Sequence, residues 1–126
     1  MGQMITEIVG NDSEAQIVAG IDIVNNRQNP YPVFTDIKDC DVKADAIIDF
    51  SSANGFEERM DYAVEKQIPI IVCSTGLSDG QLDYLKEASK KVAVLKSANM
   101  SLGINLLMKL VKEAAKKLAT EGFDIE

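Results

Sequence analysis

Three apolar runs in this chain each end in a short cluster of small polar residues, and each cluster leads into a segment with helical periodicity. The runs cover residues 46–52 (AIIDFSS), 70–76 (IIVCSTG) and 92–101 (VAVLKSANMS). A strand, a polar turn and a helix in threefold succession are typical of a parallel α/β sheet. Ligands of such sheets bind outside the carboxyl ends of the strands. We therefore expect the three clusters to share one ligand-binding edge of the sheet, called the rim below.

Length and charge limit the classes of function. With 126 residues, of which 46% are hydrophobic, the chain suits a single domain. Its net charge of -7 argues against a nucleic-acid partner, because affinity for nucleic acid depends on clustered Lys and Arg. The first residues lack the features of a signal peptide, and no apolar stretch approaches the roughly 20 residues of a membrane span. We expect a cytoplasmic protein with no membrane and no nucleic acid among its partners.

The chain contains no histidine, so the commonest general acid and base is missing. It also contains no G-x-S-x-G elbow, P-loop or paired zinc ligands. Its two cysteines, Cys40 and Cys73, have neither metal-ligand nor disulfide spacing, which fits a reducing compartment. We therefore predict no metal site and assign no catalytic residue, and we expect Cys73 to be a small buried hydrophobe.

Apolar spacing and turn residues predict the other elements. Helices are expected near residues 3–9, 56–66, 80–90 and 102–120, with Ser78 or Asp79 capping the third. Residues 15–23 and 33–34 read as strands, residues 24–32 as the loop between them, and residues 123–126 as the beginning of a strand. Met100 and Met108 are expected to fill the core.

The first residues already read as a helix, although a doubly wound domain normally begins with a central strand and a glycine-rich phosphate turn. Met1 and Gly2 look like the tail of such a turn, with Gly2 letting the first helix pack closely on the sheet. Asp22, about twenty residues further, lies where a carboxylate accepts ribose hydroxyls. Without a central strand, the flanking strands pair with each other, borrow a strand from another chain or stay unpaired. We expect a dimer or a larger assembly.

The chain contains the segments IIDFSSANG (47–55), IVCSTGL (71–77) and SANMSLGIN (97–105). In this order and spacing they closely resemble the N-terminal domain of the 4-hydroxy-tetrahydrodipicolinate reductases, also called dihydrodipicolinate reductases. The resemblance covers essentially the whole chain. It implies a Rossmann-like doubly wound parallel sheet lacking its first strand, with residues 1–126 forming a partial dinucleotide-binding domain. It further implies the NAD(P)H-dependent reduction of a cyclic unsaturated dicarboxylate in lysine biosynthesis by the diaminopimelate route, usually by a homotetramer.

Matching positions in the family imply which residues contact the cofactor. Asp22 looks like the acid that binds the adenosine ribose, Phe50 and Ser51 would border the nicotinamide ring, and residues 74–76 would hold the nicotinamide end through their backbone. Many relatives carry an Arg after the ribose acid, where this chain has Ile23, which favours NADH over NADPH. The predicted cofactor-binding set is Met1, Gly2, Asp22, Phe50, Ser51, Cys73, Ser74, Thr75, Gly76, Ala98, Asn99, Met100 and Ser101.

Two family features do not match this chain. The glycine-rich turn, G-x-x-G-[KR]-M-G, is represented only by Met1 and Gly2, and the paired-His motif of the substrate domain does not occur. The C-terminal substrate and catalytic domain is therefore expected to be absent and the chain alone to be inactive. The alternatives are a non-catalytic nucleotide-binding module and an assembly module. Asp22 and Asp49 could also be ordinary strand-end acids that bind backbone amides, and residues 74–76 an ordinary turn.

Overall fold

Short parallel strands and helices alternate along the part of the chain that the computed structural model describes, residues 1–25 and 28–123. The helices over residues 56–66 and 102–120 have the bounds expected from the sequence, and those over residues 2–10 and 79–88 lie within two residues of the expected bounds. In chain order the elements are α1 (Gly2–Gly10), β1 (Gly20–Ile21), β2 (Val33–Phe34), a 3-10 helix (Ile37–Asp39), β3 (Ile47–Asp49), α2 (Phe56–Lys66), β4 (Ile70–Val72), α3 (Asp79–Ala88), β5 (Val94–Lys96) and α4 (Leu102–Thr120).

The larger sheet has the strand order β3-β4-β5, and all of its pairs are parallel. Ile47 lies opposite Ile70, and Ile70 lies opposite Val94. Each pair of successive strands in this sheet is joined through a helix, which is the usual crossover between parallel strands. The parallel α/β wiring predicted from the three apolar runs is therefore confirmed.

One face of this sheet carries the core. The side chains of Ile70 and Val72 are buried under α2 and α3, because alternate residues of a strand point to the same face. Full burial of a side chain as large as Phe56 or Met60 contributes about 1.5–3 kcal/mol. The buried cluster consists of Phe56, Met60, Ala63, Ile70, Val72 and Ala88.

The opposite face of the same sheet is open. Ile48 is 46% exposed and Leu95 is 56% exposed. The apolar face of α4 lies in solvent, since Leu107, Met108 and their neighbours are about half exposed. Met100 and Met108 were expected in the core, and that prediction was wrong. Within the described residues, no other element buries the apolar face of α4.

The strands β1 and β2 form a second, two-stranded parallel sheet. Gly20 and Asp22 donate their amides to Pro32 and Phe34, so the backbone groups of Ile21 point away from β2. In the same way, the backbone groups of Ile47 and Asp49 form hydrogen bonds on the β4 side of β3. The backbone groups of Ile48 therefore face the outer edge of β3. Within the described residues β1 and β3 do not pair with each other. The alternative in which the two strands beside the missing central strand pair directly is therefore wrong.

Strand lengths differ from the sequence prediction for identifiable reasons. The strand expected over residues 15–23 is reduced to Gly20–Ile21, because its partner β2 has only two residues and follows Pro32, which lacks an amide hydrogen. The strand expected to begin at Val92 begins at Val94, since the Val92 amide bonds to Ala88 at the end of α3. The strand expected over 123–126 falls mostly on residues 124–126, and part of the loop over 24–32 falls on residues 26–27. Both parts lie outside the described residues.

Candidate functional site

The three polar clusters lie side by side at the carboxyl edge of the larger sheet. Hydrogen bonding continues past the strands, with the Cys73 amide donating to the Asp49 carbonyl (2.8 Å) and the Ser97 amide donating to the Val72 carbonyl (3.0 Å). The turns after β3, β4 and β5 are therefore held in register. The rim predicted from the sequence exists as one edge, formed by residues 50–54, 73–77 and 97–101.

Asp49 is a buried carboxylate beneath this edge, with 3% of its surface exposed. Its Oδ1 accepts the Ser51 amide at 2.8 Å, and its Oδ2 accepts the Ser74 hydroxyl at 3.3 Å. The Nε of Arg59, on α2, donates to Oδ2 at 2.9 Å. A buried charge is stable only when it is paired and hydrogen-bonded. Here Arg59 provides the ion pair, and Ser51 and Ser74 provide the further hydrogen bonds.

The turn after β4 presents backbone more than side chains. Ser74 is 2% exposed, and its hydroxyl is engaged by Asp49. Thr75 and Gly76 are exposed. Gly76 has a φ of +71°, a conformation that a side chain disfavours, and among the described atoms none lies within 4 Å of a Cβ placed there. The exposed, side-chain-free backbone of Gly76 fits a ligand held by main-chain groups.

Cys73 begins this turn but offers little to a ligand. It is 6% exposed, as expected for a small buried hydrophobe. Burial raises the pKa of the Cys73 thiol, and the negative charge of Asp49 raises it further. The thiol is therefore protonated and unreactive at neutral pH.

The turn after β5 is organised by its own side chains. The Asn99 Oδ1 accepts the Ser101 amide at 2.9 Å, and the Ser97 hydroxyl donates to the Asn99 carbonyl at 3.0 Å. Ser101 caps α4 by accepting the Ile104 amide. Ala98 and Met100 are exposed at the rim, which is where a ligand could reach them.

Three predicted site residues lie elsewhere. Asp22 follows β1 and is exposed, so within the described ranges no sheet connects it to the three rim turns. Met1 precedes α1 and is exposed, and Gly2 begins that helix. The close packing expected of Gly2 is not found, because among the described atoms none lies within 4 Å of an added Cβ. The physical reason is that α1 buries no residue of its own within the described structure.

A cleft of about 550 Å³ opens at the other end of the larger sheet, where β3 and β4 begin. It is lined by Cys40, Asp45, Tyr62, Lys66 and Pro69, among others. None of the predicted cofactor-binding residues lines this cleft, so the cleft is separate from the rim. Within the described residues, no group of three or more His, Cys, Asp or Glu side chains could hold a metal ion, and no described helix is long and apolar enough to cross a membrane.

A comparison with known proteins decides the family. Residues 1–100 match the family model described as "Dihydrodipicolinate reductase, N-terminus". The chain belongs to the dihydrodipicolinate reductase family. The matched range contains the turns after β3 and β4 and nearly all of the turn after β5. The fold fits as well, since parallel strands with flanking helices are those of a Rossmann-like domain.

Dihydrodipicolinate reductases from several bacteria align with the whole chain. A protein named 4-hydroxy-tetrahydrodipicolinate reductase from Caldanaerobacter subterraneus subsp. tengcongensis is 43% identical over 126 residues, which are 49% of its length. Proteins of the same name from Clostridium novyi and Clostridium tetani are 42% and 38% identical, over 50% and 49% of their lengths. The chain thus spans about half the length of the curated relatives it matches.

The sequence reasoning missed Arg59 and gave Asp49 no role at the site. The sequence does contain a signal for this pair: an acid at the end of a buried strand, followed ten residues later by an Arg near the beginning of the next helix. Helix geometry brings such an Arg back over the strand end. In the structure the pair lies directly below two of the three rim turns.

Proposed function

We propose that this chain is the dinucleotide-binding part of a 4-hydroxy-tetrahydrodipicolinate reductase of lysine biosynthesis. The observation that carries the proposal is the exposed pair Thr75 and Gly76, which lies in a turn between two further polar turns at one sheet edge. Membership of the family and the names of the relatives support it. The name of those relatives gives the substrate class, a cyclic dicarboxylate.

Each rim turn has a distinct task in this proposal. The backbone of residues 74–76 binds the nicotinamide end, Phe50 and Ser51 border the ring, and residues 98–101 form the second contact. Asp22 accepts the hydroxyls of the adenosine ribose, and Met1 and Gly2 lie near the pyrophosphate. When bound, the nicotinamide supplies the hydride that reduces the substrate. The protein residues bind and orient it, and keep the rim turns fixed.

We propose NADH as the preferred cofactor over NADPH. Ile23 follows Asp22 and is 90% exposed, so it presents an apolar side chain where a 2′-phosphate would need a cation. A carboxylate at position 22 also repels that phosphate and accepts the free ribose hydroxyl instead. Both features point to the unphosphorylated dinucleotide.

We propose further that residues 1–126 do not catalyse the reduction alone. The chain contains no histidine, whereas the family's substrate domain carries a paired-His motif. Proton donation and binding of the substrate carboxylates then belong to that second domain. The domain described here contributes the position of the cofactor.

We also propose a cytoplasmic homo-oligomer, with a tetramer as in the family. The exposed apolar face of α4 supports an assembly, because an apolar surface of this extent usually marks an interface, and Ile48 and Leu95 are exposed as well. Cys40 and Cys73 are both free thiols, which suits a reducing compartment. The same apolar surface favours the second candidate function, a module that assembles with other chains and performs no chemistry.

Titration of the chain with NADH and NADPH, beside a hydride-transfer assay, tests the proposed function. We expect saturable binding with a Kd between roughly 10 μM and 1 mM, weaker for NADPH, because the glycine-rich pyrophosphate turn is not in this sequence. We expect no turnover. Turnover by the chain alone would contradict the proposed inactivity. Absence of binding to either dinucleotide, together with a defined oligomer in sedimentation, would leave the assembly module as the function.

A further inference from the structure

Arg59 holds three fixed points around the turn that follows β3. Its Nε donates to Asp49 Oδ2 at 2.9 Å, its Nη1 to the Asn54 carbonyl at 2.8 Å and its Nη2 to the Ser52 carbonyl at 2.6 Å. The guanidinium is planar and its donors have a fixed geometry, so three acceptors bound to it are fixed relative to one another. One side chain thus restrains the turn at both Ser52 and Asn54.

The carboxylate of Asp49 extends this restraint to the neighbouring strand. Its Oδ1 accepts the Ser51 amide, and its Oδ2 is shared between Arg59 and the Ser74 hydroxyl. The Asp49 side chain is 2% exposed and that of Arg59 is 14% exposed. A carboxylate buried to this extent needs its cation, because an unpaired buried charge is strongly unfavourable. Arg59 therefore keeps Asp49 in place to bind both strand ends.

The backbone from which Arg59 extends is itself fixed. Phe56 and Met60, on either side of it in α2, are fully buried in the core. Its neighbour Glu58 makes a different kind of ion pair, with Lys38, in which both side chains are at least 60% exposed. Exposed pairs of that kind contribute little to stability. The two adjacent residues of α2 therefore provide a matched comparison.

We propose that Arg59 is a positioning residue of the dinucleotide site. It lies beneath the rim and does not contact the ligand. It holds Ser52 and Asn54 directly and Ser51 and Ser74 through Asp49, so the backbone groups of two rim turns are in place before the ligand binds. Preorganisation of this kind increases affinity, because less ordering remains to be done on binding. The proposal rests on the proposed function, since it assigns Arg59 to the same site.

Backbone amide exchange and NADH titration of an Arg59→Lys variant test this role. Lysine keeps a cation near Asp49 but cannot bind three acceptors in one plane. We expect exchange at Ser51 and its neighbours in the turn to become about tenfold faster, while exchange in Ile70–Val72 stays as in the wild type. We expect the Kd for NADH to rise roughly tenfold. Glu58→Gln, the control, should change neither quantity.

A second variant covers the case in which Arg59→Lys fails to fold. Asp49→Asn combined with Arg59→Gln removes both charges together and leaves no unpaired buried ion, so the fold should persist while the turn loosens. Unchanged exchange in residues 50–54, or an unchanged Kd for NADH in either folded variant, overturns the positioning role and leaves the proposed function standing. If the wild-type chain binds no NADH at all, the proposed function fails and the positioning role fails with it.

Discussion

Cys73 shows how burial sets the chemistry of a residue next to the rim. It follows β4 directly and is 6% exposed. Burial is the larger cause of its raised pKa, and the charge of Asp49 is the second. Because the thiolate is the reactive form, a raised pKa makes the thiol inert at neutral pH. Cys73 therefore acts as a packing residue although it lies beside the proposed cofactor contacts.

Alkylation of Cys73 measures this directly. In a Cys40→Ser variant, which leaves Cys73 as the single thiol, we expect iodoacetamide at about pH 8 to react roughly 100-fold more slowly with the folded chain than with the chain in urea. The unfolded chain releases the thiol proton first as the pH rises, so stability should fall above the ordinary thiol pKa. Equal reaction rates in buffer and in urea, with the circular dichroism of the folded chain intact, would contradict this.

Individual residues also show what the sequence can and cannot reveal about the site. The polar turns were predictable, because small polar residues directly after an apolar run are typical of a turn at the end of a strand. The partner of Asp49 was not, since a strand-end acid can bind amides, cap a helix or pair with a cation, and only the fold brings Arg59 to it. The packing of Gly2 was mispredicted because the sequence around Gly2 does not show whether its helix packs on a sheet. Among the described atoms none lies within 4 Å of a Cβ added at Gly2.

The helix α3 shows how one element begins at a defined residue. Ser78 accepts the Gln81 amide at 3.3 Å, and the Gln81 side chain accepts the Ser78 amide at 3.0 Å, which forms a capping box. Gln81 also donates to the Ala53 carbonyl at 3.0 Å, in the turn after β3. Of the two caps expected from the sequence, Ser78 or Asp79, the structure uses Ser78.

Substitution of Ser78 by Ala should lower the free energy of unfolding by about 1 kcal/mol, since the loss of an N-cap leaves a helix amide without its acceptor. Urea denaturation measures the change. Ser89→Ala serves as the control at the other end of α3, because the Ser89 hydroxyl only donates to the Lys86 carbonyl in an exposed turn. A loss from Ser89→Ala as large as that from Ser78→Ala would show that the capping box does not stabilise α3.

Elements buried on one face were the most predictable. The bounds of α2 were predictable from its apolar spacing, and its apolar side chains Phe56, Met60 and Ala63 are buried against the sheet. The stripe of α4 gave the helix but not its environment, since periodicity shows that a face is apolar and not what covers it. The strand β1 was overpredicted because the length of a strand depends on its partner as much as on its own residues.

At the scale of the whole molecule, the described residues form two parallel sheets with open edges at β1 and β3. The exposed side chains of Ile21 and Ile48 lie on those two strands. The general α/β class and the order of the rim turns followed from the sequence, but the division into two sheets did not. Whether two strands pair depends on segments that are distant in the sequence, and a local sequence pattern does not show which of them meet. The proposed assembly and the position of Asp22 relative to the rim both depend on what pairs with the unpaired backbone groups of β1 and β3.

The most direct test of the dinucleotide site compares NADH binding by Gly76→Val and Gly122→Val. Both glycines have positive φ, +71° and +81°, and among the described atoms neither has one within 4 Å of an added Cβ. The substitutions therefore impose similar backbone strain, but only Gly76 lies at the rim. We predict that the wild type and Gly122→Val bind NADH alike and that Gly76→Val binds at least about tenfold more weakly. Equal affinity of all three proteins, or no saturable binding by the wild type, would contradict a dinucleotide site at the rim.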